Sequence, residues 1–442
     1  MPYTAFVLDG LSLYSGPRRM NTIINIMWLY RVSIFLYQFA VRILAFFNPK
    51  ALQLIQGRKR LLQHIAKNIP DHQTVIWFHC ASLGEFEQGR PIIEQWKSNY
   101  PHHFILLTFF SPSGYEIQKN YKGADYVTYL PFDTPKNAEK FLTLTHPDLA
   151  IFIKYEFWLN FIDTLDKKHI PLYLASGIFR KNQHFFQWYG KIFRKRLQKF
   201  RYFFLQNQES AKLLSSIGIN NHKVTGDTRF DRVNAIAKNR RHIAFMEAIH
   251  KDNVVFVGGS TWIRDEELFI NGVIPLLKDN IKLILAPHQI TAAHLQWIRQ
   301  KFPVDKTLFW TDMTSATKAD QYQIIIVDTM GLLSSLYQYA DLAYIGGGFG
   351  KGIHNTLEAA TFGIPVVFGP NHSRFQEAQD LLKQDAAFAI NNQSEFNTTI
   401  NRLITDDTYR LQAGRKAGQY VQENCGATAN IINMLSKDFE QV

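Results

Sequence analysis

Short apolar runs alternate with longer mixed stretches along the chain from about residue 74. The runs are rich in Val, Ile, Phe and Tyr, which is typical of buried strands. In the first half of the chain they predict strands at 75–78, 104–108, 126–130, 149–153, 172–175 and 202–205. A second series predicts strands at 254–257, 282–286, 324–327, 342–345 and 366–368. The stretches between them have the spacing of helices, so each series indicates a parallel sheet with helical crossovers.

Two domains follow from these two series. The chain has 442 residues, more than one hydrophobic core ordinarily organises. We expect a first doubly wound α/β domain at 51–230 and a second at 250–442, with the boundary in the polar stretch 228–252. Ligands of such sheets bind beyond the carboxyl ends of the strands. We therefore expect a ligand in a cleft between the two domains.

The segment 22–47 is apolar and aromatic, but Arg31 and Arg42 interrupt it. The uncharged runs that remain have about ten residues each, fewer than the roughly 20 that span a bilayer. On a helix Arg31, Gln38 and Arg42 share one face, which predicts a helix lying in a membrane interface. A buried core helix is the alternative. The basic residues expected to meet anionic headgroups are Arg18, Arg19, Lys50, Arg58, Lys59 and Arg60.

The 1–50 region is thus predicted to combine an unstructured tail of about nineteen residues with this helix, and Met20 is a candidate start. No small-residue cleavage site follows the apolar segment, which disfavours a signal peptide.

A net charge of +12 and an isoelectric point near 9.4 indicate an anionic partner: nucleic acid, a phosphorylated ligand or an anionic membrane. The basic residues do not interleave with aromatics around a recognisable nucleic-acid module, so nucleic acid is not expected. Cys80 and Cys425 form no metal-ligand pattern, and no Asp-x-Asp pair follows a strand. We therefore expect neither a metal nor a cofactor, and a reducing, cytoplasmic setting.

The glycine-rich stretch 346–352 follows one predicted strand and precedes a helix that we expect to open near His354. Glycines permit close approach of a ligand, and a helix amino terminus attracts phosphate. The spacing is neither the dinucleotide fingerprint nor a Walker loop, which leaves a site for a nucleotide's phosphate and ribose. The alternative is local: Asn355 caps the helix and Glu358 completes a capping box.

Three other strand ends in the second series carry polar or glycine-rich segments. These are 258–261, 286–288 and 328–332. Because the carboxyl ends of parallel strands share one edge of a sheet, these segments and 352–358 are expected to converge there. Four separate helix caps explain such a convergence poorly.

In the first series, Glu85 follows the first strand at the opening of a helix, where a carboxylate can serve as a general base. Its spacing from Ser82 also fits a capping box. Lys154 follows the strand at 149–153 and is a candidate for offsetting charge on a phosphate or carboxylate leaving group. The alternative is a solvated surface lysine.

Arg229 lies at the predicted domain boundary, in the sequence GDTRFD. A guanidinium there is suited to bidentate binding of an anion. A surface ion pair with Asp227 or Asp231 is the alternative.

Taken in order, these segments resemble those of the Kdo (3-deoxy-D-manno-oct-2-ulosonic acid) transferases of lipid A biosynthesis, which are glycosyltransferases of the GT-B fold. The resemblance rests on GIHNTLE at 352–358, followed by FGP, on SLGE at 82–85 and on DTMG at 328–331. The chain departs from the family pattern at Lys154, where a glutamate is usual, and at Arg229, where a lysine is usual. It also lacks the arginine before His288 and has Leu332 in place of a glutamate.

The resemblance implies two Rossmann-like domains, with CMP-Kdo bound by the second and a bisphosphorylated lipid A precursor by the first. It implies that Glu85 is the general base, that transfer inverts the anomeric centre and that Arg229 stabilises the departing CMP. It places the enzyme at the cytoplasmic face of the inner membrane. The implied CMP contacts are Pro287, His288, Met330, Gly331, Leu332, Asn355, Thr356, Leu357 and Glu358. Two alternatives are another membrane-associated GT-B enzyme that uses a UDP-sugar, and a non-catalytic sugar-nucleotide-binding membrane protein.

Overall fold

A computed structural model describes residues 19–277, 280–314 and 317–440. The chain divides into two compact units. The first runs to Thr228 and also takes in the chain from Gly426 onward, and the second spans Arg229–Cys425. The tail predicted for the first nineteen residues lies almost wholly outside the described residues.

Within the described residues, the first unit is built on a parallel sheet of seven strands in the order β3-β2-β1-β4-β5-β6-β7. The strands are β1 Val75–Cys80, β2 Phe104–Phe109, β3 Tyr126–Tyr129, β4 Leu149–Ile153, β5 Leu172–Gly177, β6 Tyr202–Leu205 and β7 His222–Val224. The helices of this part of the chain are α1 Arg19–Leu44, α2 Pro49–Gln56, α3 Leu61–Asn68, α4 Leu83–Asn99, α5 Pro112–Gln118, α6 Pro135–Thr145, α7 Leu159–Lys167, α8 Lys191–Leu197 and α9 Gln208–Ser215.

These strands are continuous apolar runs because helices cover both faces of the sheet. In β1 every residue is buried, and successive side chains enter different cores. Trp77 packs in the cluster with Phe141 and Phe161, whereas Phe78 packs on the other face with Phe86. The two faces of this one strand therefore tie the sheet to two helical layers.

Helix α1 packs on the first unit through one face only. Tyr37 and Val41 contact a cluster that includes Phe110 and Phe132, which follow strands β2 and β3. Tyr30 donates a hydrogen bond to the buried Asp133 carboxylate. The opposite face is exposed and apolar over Trp28, Phe35, Leu36, Phe39, Ile43 and Leu44, and Phe46 and Phe47 just beyond the helix are exposed as well. A fully buried core helix is therefore wrong for the described part of α1.

The charge pattern of α1 follows the predicted spacing, since Arg31, Gln38 and Arg42 lie on the same side of one continuous helix. None of the helices in the described residues is both long and apolar enough to cross a bilayer. Arg58, predicted to meet headgroups, is instead packed between the rings of Phe110, Tyr129 and Phe132. It donates to the backbone oxygens of Leu54, Phe110 and Leu130, because three apolar rings leave its N–H groups no water to bind.

The second unit also contains a parallel sheet of seven strands in its described residues, in the order β10-β11-β9-β8-β12-β13-β14. The strands are β8 Val254–Thr261, β9 Ile281–Pro287, β10 Thr307–Phe309, β11 Ile324–Ile326, β12 Leu342–Ile345, β13 Val366–Phe368 and β14 Ala387–Ala389. The helices are α10 Thr228–Lys238, α11 Ala244–Lys251, α12 Ile263–Gly272, α13 Ala292–Lys301, α14 Leu333–Leu336, α15 Leu357–Ala360, α16 Gln376–Lys383, α17 Gln393–Thr405 and α18 Asp407–Glu423.

The last helix, α19 Ala427–Phe439, returns to the first unit. Ile431, Ile432 and Leu435 are buried in the same cluster as β1 and β2. Asp438 accepts hydrogen bonds from Tyr173 and from Arg201, whose Nε lies 2.8 Å away. The carboxyl-terminal residues therefore complete the core of the unit in which the chain began.

The predicted fold class of two parallel α/β sheets is confirmed. The predicted strands appear with ends within a few residues, but β7, β10 and β14 were missed. Each of these has three residues, too few to show a hydrophobic period. Their backbones form strands because a neighbouring strand supplies hydrogen-bond partners for their N–H and C=O groups.

Candidate functional site

The second unit has a cavity of about 130 Å³ at the carboxyl edge of its sheet. The cavity is lined by the ends of β8 and β12, by α14 with the turn after it, and by the segment before α15. Its lining residues are Gly259, Ser260, Leu333, Tyr337, Ile345, His354, Asn355 and Glu358. Three of the four predicted convergent segments thus have residues on or beside this cavity, and the parallel topology is the reason.

The glycine-rich turn is needed for packing between loops. A Cβ on Gly346 would lie 2.2 Å from the Ser260 carbonyl oxygen, and one on Gly348 would lie 2.5 Å from the Cα of Gly369. Gly347 has φ +90°, which disfavours a side chain. Its N–H donates to the Asp265 carboxylate over 2.9 Å. From the sequence, we expected these glycines to let a ligand come close to the backbone. The atoms closest to them are instead backbone atoms of the adjacent loops.

The helix expected to open near His354 begins only at Leu357 and has four residues. The side-chain oxygen of Asn355 accepts from the Leu357 N–H over 3.2 Å, and its amide donates to Glu358 over 3.1 Å. Asn355 therefore does cap the turn locally, as the alternative held. Glu358 nevertheless lines the cavity. Thr356 is buried beneath it.

Three aromatic rings stack beside the cavity. The His288 ring lies 4.3 Å from that of His354 and 4.8 Å from that of Trp262. The Trp262 indole N–H donates to Nε2 of His354 over 3.2 Å, so that His354 carries its proton on Nδ1. Burial and the neighbouring His288 lower the pKa of His354 to about 4. Burial also lowers the pKa of His288.

Five further residues predicted to contact CMP are not part of the cavity lining. Pro287 ends β9 and is buried, and Leu332 is buried at the start of α14, as is Leu357 at the start of α15. Met330 is 78% exposed and Gly331 has φ +85°. None of these five is among the residues that line the cavity.

Tyr337 and Trp262 were missed by sequence reasoning. A Cβ on Gly259 would lie 2.0 Å from the Tyr337 hydroxyl, so the glycine at the end of β8 makes room for this ring. Burial raises the pKa of Tyr337. Trp262 directly follows the segment 258–261, and that position was the only signal available in the sequence.

Arg229 forms a bidentate ion pair with Glu377 in the first turn of α16. The two N–O distances are 2.8 and 3.3 Å, and Glu377 is buried. From the sequence, Asp227 and Asp231 were the ion-pair partners considered for Arg229. Glu377 was not considered because it lies 148 residues further along the chain. The guanidinium is therefore fixed by its partner and only partly exposed.

In the first unit, Glu85 lies in the first turn of α4, directly beyond β1, and is 9% exposed. Within the described chain, the Ser82 side chain makes no capping hydrogen bond to the first turn of this helix. Its hydroxyl donates to the Glu85 carboxylate instead. The capping box that the sequence allowed is therefore not formed by Ser82, and the carboxylate is held by a donor at the carboxyl edge of the sheet.

Lys154 follows β4 with φ +75°, an uncommon conformation for a residue with a side chain. Its N–H donates to the Ala175 carbonyl over 2.8 Å, and its Nζ lies 5.1 Å from the centre of the Tyr155 ring. The turn directs the residue away from the strand and fixes its backbone. Lys154 is half-buried.

Glu156 was missed as a site residue. It is buried with an oxygen 3.6 Å from Nε2 of His79. That nitrogen accepts from the Trp158 indole over 2.9 Å, so it carries no proton, and Nδ1 donates to Thr108 over 2.8 Å. The His79–Glu156 contact is therefore not an ion pair. It leaves a buried carboxylate near Lys154 at the same sheet edge as Glu85.

Comparisons with known proteins bear on both units. Residues 56–232 match the family model described as 3-deoxy-D-manno-octulosonic-acid transferase (kdotransferase). The chain is 26% identical over 379 residues to the 3-deoxy-D-manno-octulosonic acid transferase of Haemophilus influenzae, covering 83% of this chain and 87% of the relative. It is 27% identical over 336 residues to the enzyme of the same name from Aquifex aeolicus, covering 75% and 86%.

Solved structures agree on the fold. The crystal structure of the putative UDP-N-acetylglucosamine 2-epimerase from Listeria monocytogenes superposes with a TM-score of 0.59 at 11% identity, covering 84% of this chain and 98% of that one. The UDP-GlcNAc 2-epimerase of Neisseria meningitidis superposes with a TM-score of 0.58 at 12% identity, covering 83% and 100%. At such identities these likenesses concern the fold alone.

The named relatives identify the chain as a glycosyltransferase, and its two parallel sheets agree with that class. More particularly, it is related over most of its length to the Kdo transferases, which confirms the resemblance drawn from its motifs.

Proposed function

We propose that this enzyme transfers Kdo from CMP-Kdo to a lipid A precursor, lipid IVA, with inversion at the anomeric carbon and without a metal ion. The observation that carries the proposal is the cavity at the carboxyl edge of the second sheet, which the segment matching the family motif lines with His354, Asn355 and Glu358.

The donor's nucleotide is assigned to the second unit. A cavity of about 130 Å³ is smaller than the roughly 300 to 1,000 Å³ of sites that enclose whole ligands, so it accepts a part of CMP. The Glu358 carboxylate is suited to accept hydrogen bonds from ribose hydroxyls. The stacked rings of His288 and His354 are suited to a base or sugar face. The exposed Met330 and Gly331 are assigned to the outer part of the nucleotide.

The acceptor hydroxyl is assigned to Glu85. The carboxylate takes the hydroxyl proton while the oxygen bonds to the anomeric carbon of Kdo, and the bond from that carbon to the phosphate of CMP breaks. The products are the glycosylated acceptor, CMP and a protonated Glu85. Arg229, oriented by Glu377, and Lys154 offset negative charge on the departing phosphate or on the Kdo carboxylate.

Helix α1 is assigned to the anionic surface of the inner membrane, on its cytoplasmic face. Its exposed face carries Phe35 and Phe39, with Arg31 and Arg42 along one side. An aromatic face bordered by cations is typical of a helix that lies in a membrane interface. The acceptor, a lipid with phosphate groups, resides in such a surface.

The test is an incubation of the purified full chain with CMP-Kdo and tetra-acylated lipid A precursor, the donor being made beforehand by a synthetase in a step that contains Mg²⁺. EDTA in excess of that Mg²⁺ is added together with the transferase and the acceptor, and we expect a product heavier by one or more Kdo residues, together with free CMP. UDP-sugars serve as competing donors. Transfer from a UDP-sugar in place of CMP-Kdo, or release of CMP only when a divalent metal is added, would overturn the proposal.

A further inference from the structure

A strongly basic stretch surrounds strands β5 and β6 of the first unit. Residues 167–208 contain ten Lys or Arg and no Asp or Glu. The part that directly follows β5 begins at Ile178 and continues into α8. Trp188 in this part exposes 87% of its surface, and Arg180, Lys181, Lys191 and Lys195 are exposed around it. We call the range 180–195 the β5–α8 loop.

The β5–α8 loop is held in one conformation by its own contacts. Arg194 donates to the carbonyl oxygens of Phe185 and Gln187, 3.0 and 3.2 Å away. Phe185 is buried, and a Cβ on Gly190 would lie 2.0 Å from the His184 carbonyl oxygen. Trp188 packs edge to face on Tyr189 and turns the rest of its surface to solvent. The tryptophan is thus presented outward by an ordered loop.

This loop and helix α1 lie at the same edge of the first sheet. Helix α1 packs through Tyr37 and Val41 into a cluster that also holds Ala81, Phe110, Phe132 and Trp158, residues that come after β1, β2, β3 and β4. The β5–α8 loop comes after β5, and all these strands are parallel. The carboxyl edge therefore carries two exposed aromatic surfaces, each bordered by cations.

We propose that the β5–α8 loop is a second membrane-binding element, in which Trp188 enters the interface and Lys181, Lys191 and Lys195 bind anionic phospholipid headgroups. Trp and Tyr favour the headgroup level of a bilayer, and clustered lysines are attracted to anionic lipid. The proposal rests on the membrane assignment of α1 and adds an orientation to it. A single helix attaches the unit along one line, about which the unit can rock, whereas attachment at two places fixes which edge of the sheet faces the lipid.

The experiment uses the full chain and vesicles of phosphatidylcholine with or without phosphatidylglycerol, with neither donor nor acceptor present. We expect Lys181→Gln/Lys191→Gln/Lys195→Gln to weaken binding to the anionic vesicles by roughly tenfold or more, and less at high salt. The matched control is Lys67→Gln/Lys122→Gln/Lys167→Gln. These exposed lysines come just before strands and so lie near the opposite edge of the same sheet.

Insertion of Trp188 is measured separately with vesicles that contain brominated lipid, which quench nearby tryptophan fluorescence. We expect the quenched fraction to fall in Trp188→Phe and not to fall in Trp297→Phe, a control on α13. Equal quenching in the two variants together with equal vesicle binding by the two lysine triples would overturn the proposal. A raised KM for detergent-dispersed acceptor with normal vesicle binding would also overturn it, in favour of a site for the acceptor's phosphates. If Kdo transfer is not observed, vesicle binding and tryptophan quenching can still be measured. Failure of the proposed function is therefore distinguishable from failure of the second membrane-binding element.

Discussion

The indole N–H of Trp262 points at Nε2 of His354 from 3.2 Å and thereby decides which nitrogen of that imidazole carries the proton. His354 lines the cavity of the second unit, and its pKa is lowered to about 4 by burial and by the neighbouring His288. A neutral ring with a proton on Nδ1 offers a donor to a ligand without adding charge.

We therefore expect nitrogen-15 chemical shifts of His354 to report the neutral Nδ1–H form down to about pH 5. The signal is assigned by its loss in His354→Gln. Trp262→Phe keeps an aromatic ring in the stack but removes the indole N–H that donates to Nε2. Both tautomers of His354 then become accessible, and we expect the KM for CMP-Kdo to rise several-fold. A wild-type ring that titrates near pH 6.5, or a tautomer unchanged in Trp262→Phe, would contradict this account.

Glu85→Gln is expected to lower the rate of transfer by roughly 10² to 10⁴, because an amide cannot take the acceptor proton. CMP affinity and thermal stability are expected to stay close to those of the wild type. Glu87→Gln, two residues along the same helix, is the matched control, and Ser82→Ala tests the hydroxyl that holds the carboxylate. If Glu85→Gln mainly lowers the melting temperature and keeps its activity, then Glu85 is a structural residue.

Glu358→Ala is expected to raise the Kd for CMP by roughly ten- to a hundredfold, the effect of losing a hydrogen bond to a charged group. His288→Ala should raise it less, because its ring acts through stacking on His354. Calorimetric titration with CMP and with UMP measures both, and Glu423→Ala, at an exposed position on α18, is the control. A preference for UMP, or CMP affinity unchanged in both variants, would remove the cytidine assignment.

The exposed face of α1 is tested with Phe35→Ser/Phe39→Ser, whose rings are 64% and 54% exposed. We expect weaker vesicle binding and lower activity on vesicle-embedded acceptor, with activity on detergent-dispersed acceptor retained. Val304→Ser/Leu411→Ser removes exposed apolar side chains of the second unit as a control. Deleting residues 1–47 is a poorer test, because it would also remove Tyr30 and leave Asp133 buried without that donor. Vesicle binding equal to that of the control variant would refute the assignment.

Asp133 should give the first unit a stability that falls as the pH rises from about 4 to 6. Burial raises the pKa of this carboxyl from 3.8 to about 6, against hydrogen bonds from Tyr30 and from the Asn160 and Phe161 backbone. In that window the folded state keeps a proton that the unfolded state releases, so unfolding becomes easier by up to roughly 3 kcal/mol.

The measurement for Asp133 is the difference in unfolding free energy between the wild type and Asp133→Asn across pH 4 to 7. We expect the wild type to lose stability relative to the variant as the pH rises. Asp71→Asn, at an exposed position before β1, is the control. A difference that stays constant over the window would mean that Asp133 does not hold its proton there.

Most of the fold could be predicted from the sequence because buried parallel strands are continuous apolar runs, as in β1 and β12. The short edge strands could not, since three residues of β10 or β14 become strands only beside a neighbour. The predicted start of the helix near His354 was also wrong, because the helix begins at Leu357. There the backbone is shaped by the packing of Gly346 and Gly348 on distant loops, which no local pattern records.

The candidate site was predicted in part. Motif spacing and the position after strands selected Glu85, Asn355 and Glu358, and the last two line one cavity. His354, which also lines it, was not selected. Partners that are remote in sequence were not predictable. Glu377 reaches Arg229 from 148 residues away, and Trp262 reaches His354 from 92 residues away. The wrong headgroup prediction for Arg58 has the same cause, because Phe110 and Tyr129 enclose it from other parts of the chain.

The return of α19 to the first unit has a consequence for synthesis on the ribosome. Domains generally fold in order as the chain emerges, the amino-terminal one first. Here Ile431, Ile432 and Leu435 belong to the core beneath β1 and β2, so nascent chains that already contain every strand of the first sheet still lack part of that core. The first unit therefore completes its core only after the second unit has been synthesised. Ribosomes stalled anywhere within residues 229–425 would carry a first unit with an open apolar surface.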